Sequence, residues 1–118
     1  MSVDVEGATR RVLIVIGTAA TDGATIAALR LAEAALRRGD AVTVYAYGGA
    51  VRIGADGCPT SVYVQGLLGA DAPNGRAAWI VDRCDPRTST QVSGVRLGDG
   101  GDLWRLIREA DVVLGVSP

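Results

Sequence analysis

Two missing residue types narrow the chemistry that is open to this chain. The 118 residues include no His, and all twelve basic residues are Arg. Without His, neither a Ser-His-Asp triad nor a Cys-His pair can form within the chain. Without Lys there is no Schiff base and no P-loop lysine. Any reaction must therefore use cysteine, carboxylates, Arg, Tyr or backbone amides.

Cys84 is the first candidate for a catalytic residue. It follows the apolar segment AAWIV and Asp82, which predicts a thiol at the end of a buried strand. Ligands of open parallel sheets collect at the carboxyl ends of the strands. Pro86 suits the first position of a helix, with Asp85 as its cap. A cysteine beside a helix N-terminus is in surroundings that favour the reactive thiolate.

The charges around Cys84 leave two interpretations open. Arg83 and Arg87 favour a thiolate, whereas the neighbouring aspartates oppose it. Cys84 is either a reactive thiol or a small apolar residue that fills space at a strand end. The other cysteine, Cys58, lies in the Gly-rich stretch GADGCPTS with no strand or helix leading into it. It is the weaker candidate.

The loop GTAATDG, residues 17–23, is a second candidate site. Small residues just before a helix leave backbone N–H groups free, and these together with the helix dipole favour an anion. The alternative is a tight turn in which Thr21 or Asp22 caps the helix. The predicted anion pocket consists of Gly17, Thr18, Thr21, Asp22, Gly23, Arg83 and Arg87.

Alternating apolar segments indicate how these residues are positioned. Strands are predicted over 11–16, 41–47, 77–81, 92–97 and 111–116, and helices over 24–38, 62–68 and 102–110. Segment 62–68 could equally be extended. The alternation predicts an α/β fold, a three-layer α/β/α sandwich with a mostly parallel sheet of about five strands. We expect one domain over 1–118, with residues 1–10 as a flexible N-terminal segment.

Composition excludes several classes of partner. The net charge is −1 and the Arg residues are scattered, so we expect neither nucleic-acid nor membrane binding. The apolar run over 12–16 is too short for a signal peptide or a membrane span, which predicts a cytoplasmic protein with free thiols. No metal site and no organic cofactor are expected. Trp104 lies off the apolar stripe of its helix and indicates a subunit interface.

The order of these segments resembles that of a known family. A buried strand with a small-residue loop (VLIVIGTAATDG) precedes an Ala-rich helix (ALRLAEAALRRGD). A strand closing on Gly-Gly-Ala-Val (AVTVYAYGGAV) and a strand with a cysteine (WIVDRC) follow. The last part is GVRLGDGGDLWRLIREADVVLGV. Over roughly residues 11–116 the chain resembles the DsrE-like family, which includes the TusD-type sulfur-relay subunits.

The resemblance implies an assembly and an activity. The assembly is a trimer or hexamer, either a homo-oligomer or a hetero-oligomer with sister subunits. In sulfur-relay members, a cysteine after a central strand accepts persulfide sulfur from a donor protein and passes it to an acceptor. Cys84 falls at that position, and Cys58 has no counterpart. The stretch after Cys84, DPRTST, is shorter and more polar than in those members.

Three functions are compatible with these observations. The first is a sulfur carrier, a sulfurtransferase-like protein if it is an enzyme at all, which holds a transient cysteine persulfide and needs no other cofactor. The second is a non-catalytic oligomeric module that binds a small molecule or anion. The third, a flavodoxin-like nucleotide binder, is disfavoured because few aromatic residues are available to flank a flavin.

Overall fold

The computed structural model describes residues 10–69, 76–84 and 90–117, and within them five strands alternate with three α-helices. The strands are β1 (Arg11–Ile16), β2 (Ala41–Ala46), β3 (Arg76–Asp82), β4 (Arg96–Gly98) and β5 (Val112–Val116). The helices are α1 (Gly23–Arg37), α2 (Ser61–Leu68) and α3 (Gly100–Glu109), and a 3-10 helix spans Gly48–Arg52. Residues 1–9 of the predicted flexible segment lie outside the described residues.

The described strands form one sheet in the order β4-β3-β2-β1-β5, and every neighbouring pair is parallel. Helices α1 and α2 pack on one face, and α3 packs on the other. The predicted three-layer α/β/α sandwich is therefore confirmed, and segment 62–68 is helical. Within the described residues, no helix is both long enough and apolar enough to cross a membrane.

The strand predicted over 92–97 is wrong in its position. Only Arg96–Gly98 pairs with β3. The preceding residues are bonded to another loop and not to β3. The Val92 amide donates to the Gly54 carbonyl at 2.9 Å, and Gln91 forms an antiparallel bridge with Ala55. Val92 is apolar because it is buried in this loop contact, and not because it lies in the sheet.

The α1 face of the sheet carries the larger core. Asp22 caps α1 by accepting from the Ala24 amide at 2.9 Å. Gly39, at φ 97°, supplies the left-handed residue that follows the helix. Small alanines on the buried stripe let α1 lie close to the strands; the buried stripe is Ala28, Leu29, Ala32, Ala35 and Leu36. This packing fixes the sheet on which the candidate site is built.

The α3 face is thinner. Its fully buried residues are Leu13, Tyr45 and Ile80, and they pack against half-buried residues of α3. No residue of α3 is itself fully buried. The helix begins with a capping box, in which the Asp99 carboxylate accepts from the Asp102 amide at 3.0 Å and the Asp102 carboxylate accepts from the Asp99 amide at 2.9 Å. Because α3 buries little surface, this cap is important for its stability.

We predict that Asp99→Ala destabilises the protein by about 1 kcal/mol, the usual cost of losing an N-cap acceptor. Asp99→Asn should unfold close to the wild type, because the amide oxygen of Asn can accept the same hydrogen bond. Urea unfolding followed by far-UV circular dichroism measures both. Equal losses for the Ala and Asn variants would show that the carboxylate charge, and not the acceptor, supports the helix.

Candidate functional site

Cys84 lies at the carboxyl end of β3, and its side chain is exposed. The polypeptide turns there because the Cys84 amide donates to Asp82 Oδ1 at 2.9 Å. The turn is also anchored to the edge strand β4, because the Arg83 amide donates to the Gly98 carbonyl at 2.8 Å. Two hydrogen bonds of residues 83 and 84 therefore fix the start of this turn, where the Cys84 side chain is exposed. The helix start predicted at residues 85 and 86 lies outside the described residues.

The structure directs Arg83 away from the rest of the predicted pocket. Its guanidinium approaches the Leu97 carbonyl at 3.4 Å, on β4. The loop after β1 lies on the opposite side of β3, beyond β2. Arg83 therefore extends along the outer edge of the sheet. Arg87, the second Arg of the predicted pocket, lies outside the described residues.

The loop after β1 lies at the same edge of the sheet as Cys84, because β1 and β3 run parallel. Neighbouring strands are about 4.8 Å apart, so the ends of β1 and β3 are roughly 10 Å apart. The ring of Tyr47 covers Gly17 so closely that a Cβ at Gly17 would lie 2.3 Å from it. Thr18 is buried, and its hydroxyl is hydrogen-bonded to the hydroxyl of Thr25 in α1.

The remaining residues of this loop lie at the start of α1. Thr21 and Gly23 are exposed. The Asp22 carboxylate accepts from the Ala24 amide, which is one of the groups that would otherwise face an anion. A carboxylate in that position supplies its own negative charge at the helix N-terminus. Of the two alternatives for this loop, the structure therefore has the tight turn with Asp22 as the helix cap. The anion pocket stays a prediction.

Tyr45 is a polar residue near this edge of the sheet that was not among the residues of the predicted pocket. It is only 1% exposed, packed in the α3 face beside Leu13 and Ile80. Its hydroxyl is buried and has no hydrogen-bond partner among the described residues. Buried hydroxyls are nearly always hydrogen-bonded, so this exception calls for an explanation. Tyr47, two residues along, is half-buried over the loop after β1.

The surroundings of the Tyr45 hydroxyl are acidic. Burial is the largest cause that raises the pKa of Tyr45 to about 12, and the charges of Asp82, Asp99, Asp102 and Cys84 act in the same direction. Two of these carboxylates form the capping box of α3, and Asp82 ends β3 next to Cys84. The hydroxyl therefore remains protonated at neutral pH and lies among groups from β3 and the start of α3.

Asp102 remains ionised in this environment. The hydrogen bond with the Asp99 backbone is the largest cause that lowers the pKa of the Asp102 carboxyl. The side-chain hydrogen bond with Asp99 and the nearby guanidinium of Arg105 lower this pKa as well. Arg105 Nη2 lies 3.6 Å from Asp102 Oδ1. In the described part of the chain, no group of three or more His, Cys, Asp or Glu side chains has the geometry to hold a metal ion.

Cys58 occupies a different environment. It is half-buried in the turn that leads into α2, where its amide donates to the Ala55 carbonyl at 3.1 Å and its carbonyl accepts from the Ser61 amide at 3.0 Å. It lies in the connection between β2 and α2, well after the end of the strand. The two cysteines therefore differ in exposure, and only Cys84 comes within two residues of the end of a strand.

Tyr45→Phe should raise the free energy of unfolding by roughly 1 kcal/mol, because it removes a buried hydroxyl that makes no hydrogen bond. Tyr47→Phe is the matched control. It removes the same atom from a half-buried ring that directly follows the same strand, and it should change stability little. Chemical denaturation of the three proteins is the measurement. A marked loss of stability in Tyr45→Phe would mean that the hydroxyl contributes to the fold.

Comparison with known proteins identifies the fold. No family model matches the chain, and no curated protein matches it. Among solved structures it is similar to the ychN protein from E. coli, with a TM-score of 0.74 and 18% sequence identity over 92% of this chain and 99% of that one. The chain therefore shares the α/β/α architecture of that protein, and this likeness concerns the fold alone.

Proposed function

We propose that this protein is a sulfur carrier that holds persulfide sulfur on Cys84 and passes it to a partner protein. The observation that carries the proposal is the placement of one exposed thiol at the carboxyl edge of an all-parallel sheet. Ligands of such sheets bind at this edge. The resemblance of the sequence to the DsrE-like family supports the same interpretation, and the fold shared with the ychN protein is compatible with it.

The proposed reaction is a transfer of one sulfur between thiols. The Cys84 thiolate attacks the outer sulfur of a donor persulfide, R–S–SH. A new bond forms between Cys84 Sγ and that sulfur, the S–S bond of the donor breaks, and the donor leaves as the thiolate R–S⁻. The outer sulfur takes its hydrogen with it, so no external oxidant or reductant is needed. Delivery to the acceptor is the same step with Cys84 as the leaving thiolate.

The residues of the site fit this chemistry. Persulfide transfer needs an accessible thiol and room for a partner, and it needs no His and no metal. The turn held by Asp82 and Gly98 keeps Cys84 outside the core, while Cys58 is half-buried and fixed in a turn. We therefore assign the carrier role to Cys84 alone.

Cys84→Ser should abolish persulfide loading. The protein is incubated with a cysteine desulfurase and cysteine, and intact-mass spectrometry then detects the addition of one sulfur atom. Ser is nearly isosteric with Cys, and the side chain is exposed, so stability should be unchanged. Cys58→Ser is the matched control and should load like the wild type.

Two results would contradict the assignment. Loading that survives in Cys84→Ser and disappears in Cys58→Ser would move the role to Cys58. Absence of loading in the wild type, with both cysteines alkylated by iodoacetamide at equal rates, would remove the carrier function.

A cavity favours a second candidate function, that of a binding module. It has a volume of about 370 Å³ and lies on the α3 face at the amino ends of β1 and β2, opposite the Cys84 edge. Leu13, Ala41 and Leu106 contribute apolar surface, and Arg11 and Glu109 contribute charged groups. Its size is within the range of small-molecule sites. If neither cysteine loads, binding in this cavity becomes the leading function.

We further propose that the carrier is an oligomer, a homo-oligomeric trimer or hexamer or a complex with sister subunits. Its exposed apolar side chains support this: Trp104 is 67% exposed, and Leu97, Val112 and Val113 are exposed on the two edge strands. A protein that remained monomeric would leave these side chains in water.

Light scattering should therefore give a mass above 12.1 kDa, the mass of one chain. Trp104→Gln should lower the fraction of oligomer, because it removes a large apolar contact from the proposed interface. Arg108→Gln, an exposed change on the same helix, is the control and should leave the mass unchanged. A wild-type protein that remains at 12.1 kDa at micromolar concentration would refute the assembly.

A further inference from the structure

The cavity at the amino edge of the sheet is lined by charged groups of opposite sign. It has a volume of about 370 Å³, and its lining includes Arg11 of β1 and Glu109 at the end of α3. Among the described residues these two are the only charged ones in the lining. Leu13 and Leu106 supply apolar surface, and Thr43 supplies a hydroxyl. The cavity therefore combines one positive charge, one negative charge, an apolar surface and a hydrogen-bonding group.

Backbone contacts bring Arg11 and Glu109 to the same cavity. The Arg11 amide donates to Asp111 Oδ2 at 2.8 Å, and the Asp111 amide donates to the Arg11 carbonyl, also at 2.8 Å. These two hydrogen bonds fix the end of α3 beside the first residue of β1, because Glu109 is only two residues before Asp111. Leu13 packs against α3, and side chains two residues apart on a strand share a face, so Arg11 is on that face as well. The ends of two regular elements therefore set the position of both charges.

The two charges do not neutralise each other. The Arg11 guanidinium makes no ion pair with Glu109 or with any other carboxylate that the structure describes. Glu109 has a partner, since Arg105 Nη1 lies 3.5 Å from Glu109 Oε1, but both side chains are about half exposed and such a pair contributes little. A carboxylate has two oxygens, so Glu109 can accept further hydrogen bonds. Both charged groups are therefore available to a ligand in the cavity.

A ligand that matches this lining carries both charges. A simple anion would pair with Arg11 but would lie near the carboxylate of Glu109, and a simple cation would lie near the guanidinium. A zwitterion meets each group with the complementary charge. The apolar lining requires an apolar part as well, and a volume of about 370 Å³ accommodates a molecule of the size of leucine or phenylalanine. The lining therefore fits an amino acid.

We propose that this cavity binds an α-amino acid whose side chain is apolar. The carboxylate of the ligand pairs with the Arg11 guanidinium, and its ammonium group donates to the Glu109 carboxylate. The apolar side chain of the ligand lies against Leu13 and Leu106. The Thr43 hydroxyl accepts from the ammonium group or donates to the carboxylate. This site extends the second candidate function, and it is independent of the carrier thiol at the opposite edge of the sheet.

Leucine and three smaller or less charged analogues test the site. Isocaproate is leucine without its ammonium group, isoamylamine is leucine without its carboxylate, and glycine keeps both charges without the apolar side chain. Binding to the whole chain is followed by the shifts of its amide NMR signals, which also locate the ligand. We expect leucine to bind about tenfold more tightly than each analogue, because each analogue leaves a charged group or the apolar surface without a partner. The amide signals of Arg11, Thr43 and Glu109 should shift, and that of Cys84 should not.

Two variants assign the two ends of the ligand. Arg11→Gln should weaken the binding of leucine about tenfold without weakening that of isoamylamine, which has no carboxylate. Glu109→Gln should weaken the binding of leucine by a similar factor without weakening that of isocaproate, which has no ammonium group. Arg108→Gln is the matched control, because it removes an exposed charge from the same helix outside the cavity lining, and it should bind leucine like the wild type. All three changes are at exposed side chains, and the unfolding curve of each variant checks that it is folded.

Three results would overturn the amino-acid site. Isocaproate that binds as tightly as leucine would show a site for anions, and isoamylamine that binds as tightly would show a site for cations. If millimolar leucine shifts no amide signal around the cavity, the cavity is not a site for amino acids at all. Each of these results leaves sulfur loading of Cys84 untouched. Failure of Cys84 to load would likewise leave leucine binding in place, so the two functions are tested separately.

Discussion

The parallel direction of all five described strands is the constraint on which the candidate site depends. Each strand begins at one edge of the sheet and ends at the other, so the loops after β1, β2 and β3 must meet at the same edge. Residues far apart in the sequence become neighbours for this reason alone. Cys84 follows β3 and Asp99 follows β4, and the pairing of Asp82 with Gly98 brings the two turns together. Antiparallel pairing would have placed them at opposite edges.

The thin layer on the α3 face is a second constraint on the candidate site. Among the described residues, one helix with no fully buried residue covers this face, and part of the face therefore lies near solvent. Polar atoms can therefore come close to buried ones, as the carboxylates of the capping box do near Tyr45. The other face, filled by α1 and α2, would exclude such charges. The same thinness leaves the cavity at the amino edge and the exposed ring of Trp104.

The sequence predicted the parts of the molecule that depend on local pattern. Continuous β-branched segments gave β1, β2 and β5, the alanine stripe gave α1, and Gly39 marked its end. The strand predicted over 92–97 was misplaced because Val92 is buried in a loop contact. The hydrophobic periodicity of the sequence does not distinguish such a residue from one in a strand. The role of Asp99 and Asp102 as neighbours of Tyr45 was missed for a related reason. Their spacing identifies a helix cap, and only the sheet order shows what that cap faces.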